Sequence, residues 1–251
     1  MKRTRNDFVL KSIDDVERIE KLGNVSERYV PIYTSELIKF LEPEFKFVSG
    51  YKFGGVSSKH YVILENEDGD KIKIYNSFDR SFALRIYLTS GDVHFSVLDD
   101  YRVIHVGEKA RLLGDKDHLK DIKESILKGI PVKKMMINKL KTVEVQEDIQ
   151  EAINKLIAKD KIYHMNRKKE CDYKYINPVD EIVKKLKENG KKMSIYDYIN
   201  LSITNFLGGN YEIEGCGEIK KGRKNKSVFY KVQTINKISQ MIEKDFIEYL
   251  V

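Results

Sequence analysis

The feature that most constrains the fold is a switch of hydrophobic period, from helical spacing to alternation, over residues 45–106. Within this stretch the apolar runs Tyr61–Leu64 and Ile72–Tyr75 flank the turn sequence Glu67–Asp70, and Ser90–Asp92 marks another turn. Strands joined by such short connections run antiparallel, and the alternation leaves one face of the sheet for the core. We therefore predict an antiparallel β-meander between residues 45 and 107.

Helical signals lie on both sides of the meander. Ser12 with Asp15 resembles a capping box, and Thr34 or Ser35 can cap a second helix that Pro43 ends. After the meander we predict helices at 115–129 closed by Gly129, at 147–158, at 178–190 capped by Asn177 and at 195–208 capped by Ser194, then strands at 211–219 and 228–232 around a basic loop, and an amphipathic helix at 235–250. The predicted fold class is α+β, an antiparallel β-meander packed by flanking helices, with a mainly helical, basic C-terminal portion. The expected division is 1–130 and 131–251, or one continuous domain.

The composition is that of a globular protein. A chain of 251 residues with 41% apolar side chains can form a sizeable core. No apolar stretch approaches the roughly 18–20 residues of a membrane span, and the charged first five residues lead into no signal-peptide segment. Cys171 and Cys216 are too far apart in sequence to indicate a disulfide framework or a four-cysteine zinc site. We expect a cytoplasmic protein that does not associate with membranes.

The positive charge is unevenly distributed along the chain. Residues 1–100 carry 15 basic and 17 acidic side chains, whereas residues 101–251 carry 31 basic and 22 acidic ones. The whole formal charge of +7 therefore comes from the later part. Such an asymmetry favours a polyanionic partner. The alternative is that a lysine-rich composition reflects an AT-rich genome.

No catalytic, metal or cofactor motif is evident in the sequence. Gly54–Gly55 lacks the following Lys-Ser/Thr of a phosphate-binding loop, and His94 with His105 is more simply a cross-strand pair than a zinc site. Glu44 and Lys46 have an acid-x-Lys spacing that is seen in nucleases, but no upstream strand supplies the matching Asp. This absence favours a binding protein without a cofactor over an enzyme.

A first basic cluster lies at residues 220–226, on what the sequence indicates is a hairpin tip or loop. Its glycine and asparagine allow the backbone to follow phosphates, and the alternative is a merely solvated loop. The predicted nucleic-acid contacts in this cluster are Lys220, Lys221, Arg223, Lys224 and Lys226.

A second cluster combines charge with aromatic rings, as proteins that bind single strands do. The predicted contacts here are Arg167, Lys168, Lys169, Tyr163, Tyr173 and Tyr175. Lysines at 133–141 form a further basic stretch, whereas Lys184–Lys192 is interpreted as an ordinary solvated helix face.

Several short segments resemble an uncharacterised family of phage- and plasmid-encoded proteins. Tyr75–Arg85 is similar to that family's N-S-H-D-G-S segment, Arg102–Gly107 resembles its R-H-T-G segment, and Ser194–Thr204 is similar to its late helical N-A-V-T motif. Phe78 and Arg80 depart from the His and Gly of the first motif. The resemblance implies a mobile-element origin, typically a bacteriophage, and no established reaction. Its matching positions, with structural or functional roles, are Asn76, Ser77, Asp79, His105 and Asn200.

Together these observations lead us to expect a non-enzymatic phage protein that binds nucleic acid, preferably single-stranded, in replication or recombination. Lysine and arginine would neutralise phosphates while tyrosines stack on bases, and annealing by a homo-oligomer is a further hypothesis. Two alternatives stay open. One is a phage interaction protein, either a virion component or an inhibitor of a host defence complex, and the other is a metal-dependent nuclease with an unrecognised site.

Overall fold

The computed structural model describes residues 8–20, 32–53, 59–78, 84–98, 116–166, 173–215 and 217–222. The chain forms two compact units. The first consists of Met1–Thr89 and Phe95–Lys133, and the second of Ser90–His94 and Lys134–Val251. The fold is α+β, as the sequence predicts.

A six-stranded antiparallel sheet confirms the predicted meander, with its strands in the order of the sequence. The turn at Glu67–Asp70 is confirmed, with Gly69 in the left-handed region at φ +80° and the Asp70 amide donating to Asn66 Oδ1. The predicted strand Tyr101–Val106 lies outside the described residues. The strands are β1 Phe8–Leu10, which the sequence analysis did not predict, β2 Phe45–Lys52, β3 His60–Asn66, β4 Lys71–Asn76, β5 Arg85–Ser90 and β6 Val93–Ser96.

Two short helices, α1 Ile13–Ile19 and α2 Thr34–Leu41, belong to the first unit. The predicted cap of α1 is confirmed, because Ser12 Oγ accepts a hydrogen bond from the Asp15 amide. The predicted cap of α2 is wrong. Its capping position is Tyr33, which makes no side-chain cap, and the carboxylate of Glu20 instead accepts hydrogen bonds from the amide and hydroxyl of Ser35.

Alternation along the central strands separates the two faces of the sheet. One face buries the aliphatic side chains of β3, β4 and β5, which form part of the core with α2. The other face carries a chain of tyrosine contacts across four strands, with ring centroids 5.6–5.9 Å apart. The tyrosines in contact are Tyr51, Tyr61, Tyr75 and Tyr87.

A long helix, α3 Lys116–Thr142, continues past Gly129, where the sequence predicts its end. The predicted stop at Gly129 is wrong, because this glycine permits close packing rather than a turn. A Cβ at position 129 would lie 2.7 Å from the carbonyl oxygen of Val97. Pro131 is tolerated within the helix because it lies at an exposed position, where water can satisfy the carbonyl that loses its amide partner.

The second unit contains three further helices, α4 Glu147–Asn166, α5 Pro178–Glu188 and α6 Ile195–Gly208. The predicted caps are confirmed. Asn177 Oδ1 accepts from the Val179 amide, and Ser194 Oγ accepts from the Asp197 amide. Both caps are local side-chain contacts, so the sequence could predict them.

A small antiparallel sheet completes the second unit, with β7 Tyr173–Ile176, β8 Glu212–Gly215 and β9 Glu218–Lys221. The predicted single strand at 211–219 is wrong. It is a hairpin, and its turn includes Gly217 in the left-handed region at φ +73°. The predicted strand at 228–232 and the last helix lie outside the described residues. In the part of the chain that is described, no helix is long and apolar enough to cross a membrane.

A groove with a polar floor and lysines on its wall

A groove of about 750 Å³ lies among α4, β7 and α5 in the second unit. From α5 it is lined by Asp180, Lys184 and Lys187, which share one helix face because of their spacing of four and three residues. Val179 and Val183 of the same helix are buried, and Val183 also lines the groove. The lining from α5 therefore includes Glu181 and Glu188 as well as the two lysines.

The polar floor of the groove is built around the carboxylate of Asp180. The Tyr198 hydroxyl donates to Asp180 Oδ1 at 2.5 Å, and Asn154 Nδ2 donates to Oδ2 at 2.9 Å. Asn177 extends this network, because its Nδ2 donates to Asn154 Oδ1 and to Ser202 Oγ, each at 2.7 Å. Each Asp180 oxygen therefore accepts one hydrogen bond from a fixed donor of the protein.

Burial dominates the electrostatics of this floor. It raises the pKa of the Asp180 carboxyl, although the hydrogen bonds from Tyr198 and Asn154 act in the opposite direction. Burial also raises the pKa of the Tyr198 hydroxyl, and donation to Asp180 adds to the effect. Tyr198 therefore stays protonated and serves as a fixed donor near neutral pH.

Two of the predicted stacking tyrosines lie on β7 and differ in burial. Tyr173 is half-buried and lines the groove. Tyr175 is only 6% exposed, and its ring packs against Tyr211 and Phe206 at centroid distances of 5.3 and 6.3 Å. Its ring is therefore part of the core and is not available to stack on a base, which argues against the predicted role of Tyr175. Its hydroxyl is buried without a hydrogen-bond partner.

The remaining members of the 163–175 cluster are not placed. Arg167, Lys168 and Lys169 lie outside the described residues. Tyr163 belongs to α4, but its side chain is outside the described part of the structure. For these four positions, nucleic-acid contact stays a prediction.

The 220–226 cluster does not begin on a loop. Lys220 and Lys221 lie on strand β9, so their side chains alternate between the two faces of the sheet instead of projecting together from a tip. Lys220 Nζ is 3.1 Å from Glu218 Oε2. The predicted hairpin-tip location is therefore wrong for these two lysines, whereas Arg223, Lys224 and Lys226 lie outside the described residues.

The sequence analysis missed the lysines of α5 and of the segment after it. The five lysine side chains between residues 184 and 192 are exposed, as a solvated face requires, but Lys184 and Lys187 also line the groove. Four lysines of this stretch form no ion pair within the described residues, namely Lys184, Lys185, Lys187 and Lys191. The fifth, Lys192, has its Nζ 2.8 Å from Glu144 Oε2. We call the four lysines without ion pairs the α5 lysines.

The positions that carry the family resemblance have structural partners where they are described. Asn76 Nδ2 donates to the Ile32 carbonyl and to Thr34 Oγ1, and Asn200 Oδ1 accepts from the Asp92 amide. Ser77 is buried and its amide donates to Asn76 Oδ1. Asp79 and His105 lie outside the described residues.

Within the described ranges, no group of three or more His, Cys, Asp or Glu side chains could hold a metal ion. No protein-family model, curated protein sequence or solved structure matches the chain.

Proposed function

We propose that the protein binds single-stranded nucleic acid through the groove of the second unit and the adjacent α5 lysines. The observation that carries the proposal is a set of four exposed lysines without ion pairs, of which Lys184 and Lys187 line a groove that Tyr173 also lines. Lysines that neutralise phosphates release condensed counterions, and this release supplies most of the affinity for a nucleic-acid backbone.

The charge distribution supports the same proposal. The excess of basic over acidic side chains is confined to residues 101–251, and the α5 lysines belong to that stretch. A lysine already paired with a carboxylate has less to gain from a phosphate, because the phosphate must replace an existing attraction. Lysines without ion pairs are therefore the better phosphate contacts.

A single strand fits this surface better than a duplex. A groove with an aromatic wall can accept an unpaired base, whereas a duplex keeps its bases stacked and presents phosphates and groove edges. The resemblance to phage- and plasmid-encoded proteins gives replication or recombination of a mobile element as the proposed setting, with strand annealing by a homo-oligomer as its extension.

The test is a salt titration of binding to a fluorescent thymidine tract, measured by anisotropy for the native chain and for the quadruple variant Lys184→Gln, Lys185→Gln, Lys187→Gln, Lys191→Gln. The logarithm of affinity should fall with the logarithm of salt concentration by about 0.7 per phosphate contacted. We expect the variant to bind more weakly and to show a shallower slope.

The matched control removes four exposed lysines from the first unit, Lys11, Lys39, Lys71 and Lys128, and so changes the net charge equally. It should keep the native slope. Absence of binding at low salt, or an equal loss of slope in both quadruple variants, would contradict the proposal. A duplex of the same sequence should bind more weakly than the single strand.

A further inference from the structure

The exposed face of α3 carries a cluster of apolar side chains. Leu127, Val132 and Met135 are 40%, 51% and 73% exposed, and they are three of the eight large apolar side chains exposed among the described residues. Pro131, which is also exposed, lies between them. Single exposed apolar residues are ordinary, whereas a cluster on one face indicates a contact surface. We call Leu127, Pro131, Val132 and Met135 the α3 patch.

The arrangement of the α3 patch follows from helix geometry. Leu127, Pro131 and Met135 are spaced four residues apart, so they form one row along the helix, and Val132 lies beside this row. The apolar side chains of the same helix that are buried are a separate set, namely Ile122, Ile126, Ile130, Ile137 and Leu140. The helix therefore has an apolar surface in addition to the one that it buries.

Opposite charges flank the α3 patch at equal distances. Glu124 lies seven residues before Pro131, and Lys139 lies seven residues after Val132. Seven residues are about two helical turns, so both side chains share the face of the patch. Glu124 Oε2 is 3.5 Å from Lys128 Nζ, but both of these side chains are at least half exposed, and such surface pairs contribute little.

This pattern is self-complementary, which identifies a second copy of the chain as the partner that fits it. In a contact between two identical surfaces, residue i of one copy meets residue j of the other, and j meets i. When two α3 helices pack antiparallel about a twofold axis between Pro131 and Val132, Glu124 of each copy lies opposite Lys139 of the other. Parallel packing would bring like charges together instead.

We propose that the α3 patch is the contact surface of a homodimer in which two α3 helices pack antiparallel about this axis. The patch is about 12 Å long, because a helix rises about 1.5 Å per residue. A contact of this length is smaller than the roughly 1,200 Å² of stable interfaces, so we expect a reversible dimer with a Kd of about 1–100 µM. The inference goes beyond the proposed function and does not depend on it, since the contact requires no nucleic acid.

The test is sedimentation velocity of the full chain without nucleic acid, at about 1–300 µM, the range in which such a Kd changes the dimer fraction. We expect Met135→Lys to weaken the dimer by at least about tenfold, because the twofold axis places two buried charges in the contact. The control Ile219→Lys changes an apolar side chain of similar exposure on β9 and should keep the native Kd.

A charge exchange tests the antiparallel arrangement separately from the apolar contact. Glu124→Lys and Lys139→Glu should each weaken the dimer by about twofold to fivefold, since each replaces two attractions by two repulsions at an exposed rim. The double variant restores opposite charges and should recover the native Kd. Urea unfolding of each variant at 1/10 of the native Kd or below compares the monomers, so a folding defect is recognised as such.

The outcomes decide the proposal without affecting the proposed function. A chain that stays monomeric over the whole concentration range would overturn the dimer, as would a dimer that Met135→Lys leaves unchanged. A double variant no tighter than the two single variants would overturn the antiparallel arrangement. Binding of a thymidine tract by a monomeric chain would leave the proposed function standing, and a dimer that binds no tract would support the α3 contact alone.

Discussion

Lysine is abundant in both units of this protein, and in each unit some lysines form ion pairs whereas others form none within the described residues. In the first unit Lys39, Lys71 and Lys128 each lie within ion-pair distance of a glutamate. In the second unit the α5 lysines have no such partner within the described residues, although Lys155 and Lys192 do. Composition cannot separate these two groups. The availability of a lysine for a partner depends on which carboxylates the fold places beside it.

The tyrosines of the two units differ in their surroundings. In the first unit Tyr75 and Tyr87 are buried within a chain of ring contacts across the sheet, so their rings contribute to packing. In the second unit Tyr173 lines the groove, and Tyr175 has its ring in the core and its hydroxyl without a partner. The sheet tyrosines of the first unit thus contribute to packing, whereas Tyr173 of the second unit also lines a groove.

The largest predicted effect is on the unfolding free energy of the second unit, and it comes from the buried polar floor of the groove. Asn177→Ala removes the cap of α5 and the buried hydrogen bonds that Asn177 Nδ2 donates to Asn154 Oδ1 and Ser202 Oγ. We expect a loss of about 3 kcal/mol in the unfolding free energy of the second unit, measured by urea denaturation. Ser12→Ala, which removes the exposed cap of α1, should cost about 1 kcal/mol. Equal losses would show that the floor network adds nothing beyond a cap.

A second, smaller effect tests close packing in the first unit. Gly129→Ala places a Cβ 2.7 Å from the Val97 carbonyl oxygen, so α3 and the segment after β6 must separate. We expect a destabilisation of about 2 kcal/mol, as for other overpacked sites, in a chemical denaturation experiment. Lys128→Ala, on the adjacent exposed position, should be nearly neutral. A neutral Gly129→Ala would mean that this glycine is not required for the close approach.

The smallest effect is a difference in the sign of pH dependence between the units. The pKa of Asp180 is raised in the folded chain by burial, so its contribution to stability is greatest below the unfolded value of about 4 and falls as pH rises through the folded value. The pKa of Asp15 is lowered by the hydrogen bond from the Lys11 amide, so its contribution is lost as pH falls. Asp180→Asn and Asp15→Asn should therefore change the slope of unfolding free energy against pH in opposite directions, and slopes that change together would refute this assignment.

The elements that the sequence predicted correctly are those that depend on local contacts. The caps Ser12, Asn177 and Ser194 and the turn at Glu67–Asp70 each involve residues within four positions of one another. Alternation over adjacent strands predicted the meander for the same reason, since each strand pairs with its neighbour in sequence.

The errors have long-range causes. Gly129 resembles a helix stop unless its contact with Val97 is known, and α2 receives its N-terminal acceptor from Glu20, fifteen residues before Ser35. The groove was missed because α4, β7 and α5 assemble it from separate stretches of the chain. The spacing of Asp180, Lys184 and Lys187 was available in the sequence, but it identifies a shared helix face and not what that face lines.

The most direct test of the central claim is chemical footprinting of lysines. The native chain is acetylated with and without a saturating thymidine tract, and the modification of each lysine is measured by mass spectrometry. We expect the tract to protect Lys184, Lys185 and Lys187 and to leave Lys39 and Lys128 of the first unit unchanged. Equal protection in the two units, or none at the α5 lysines under conditions of saturated binding, would contradict the assignment of the nucleic-acid surface to the second unit.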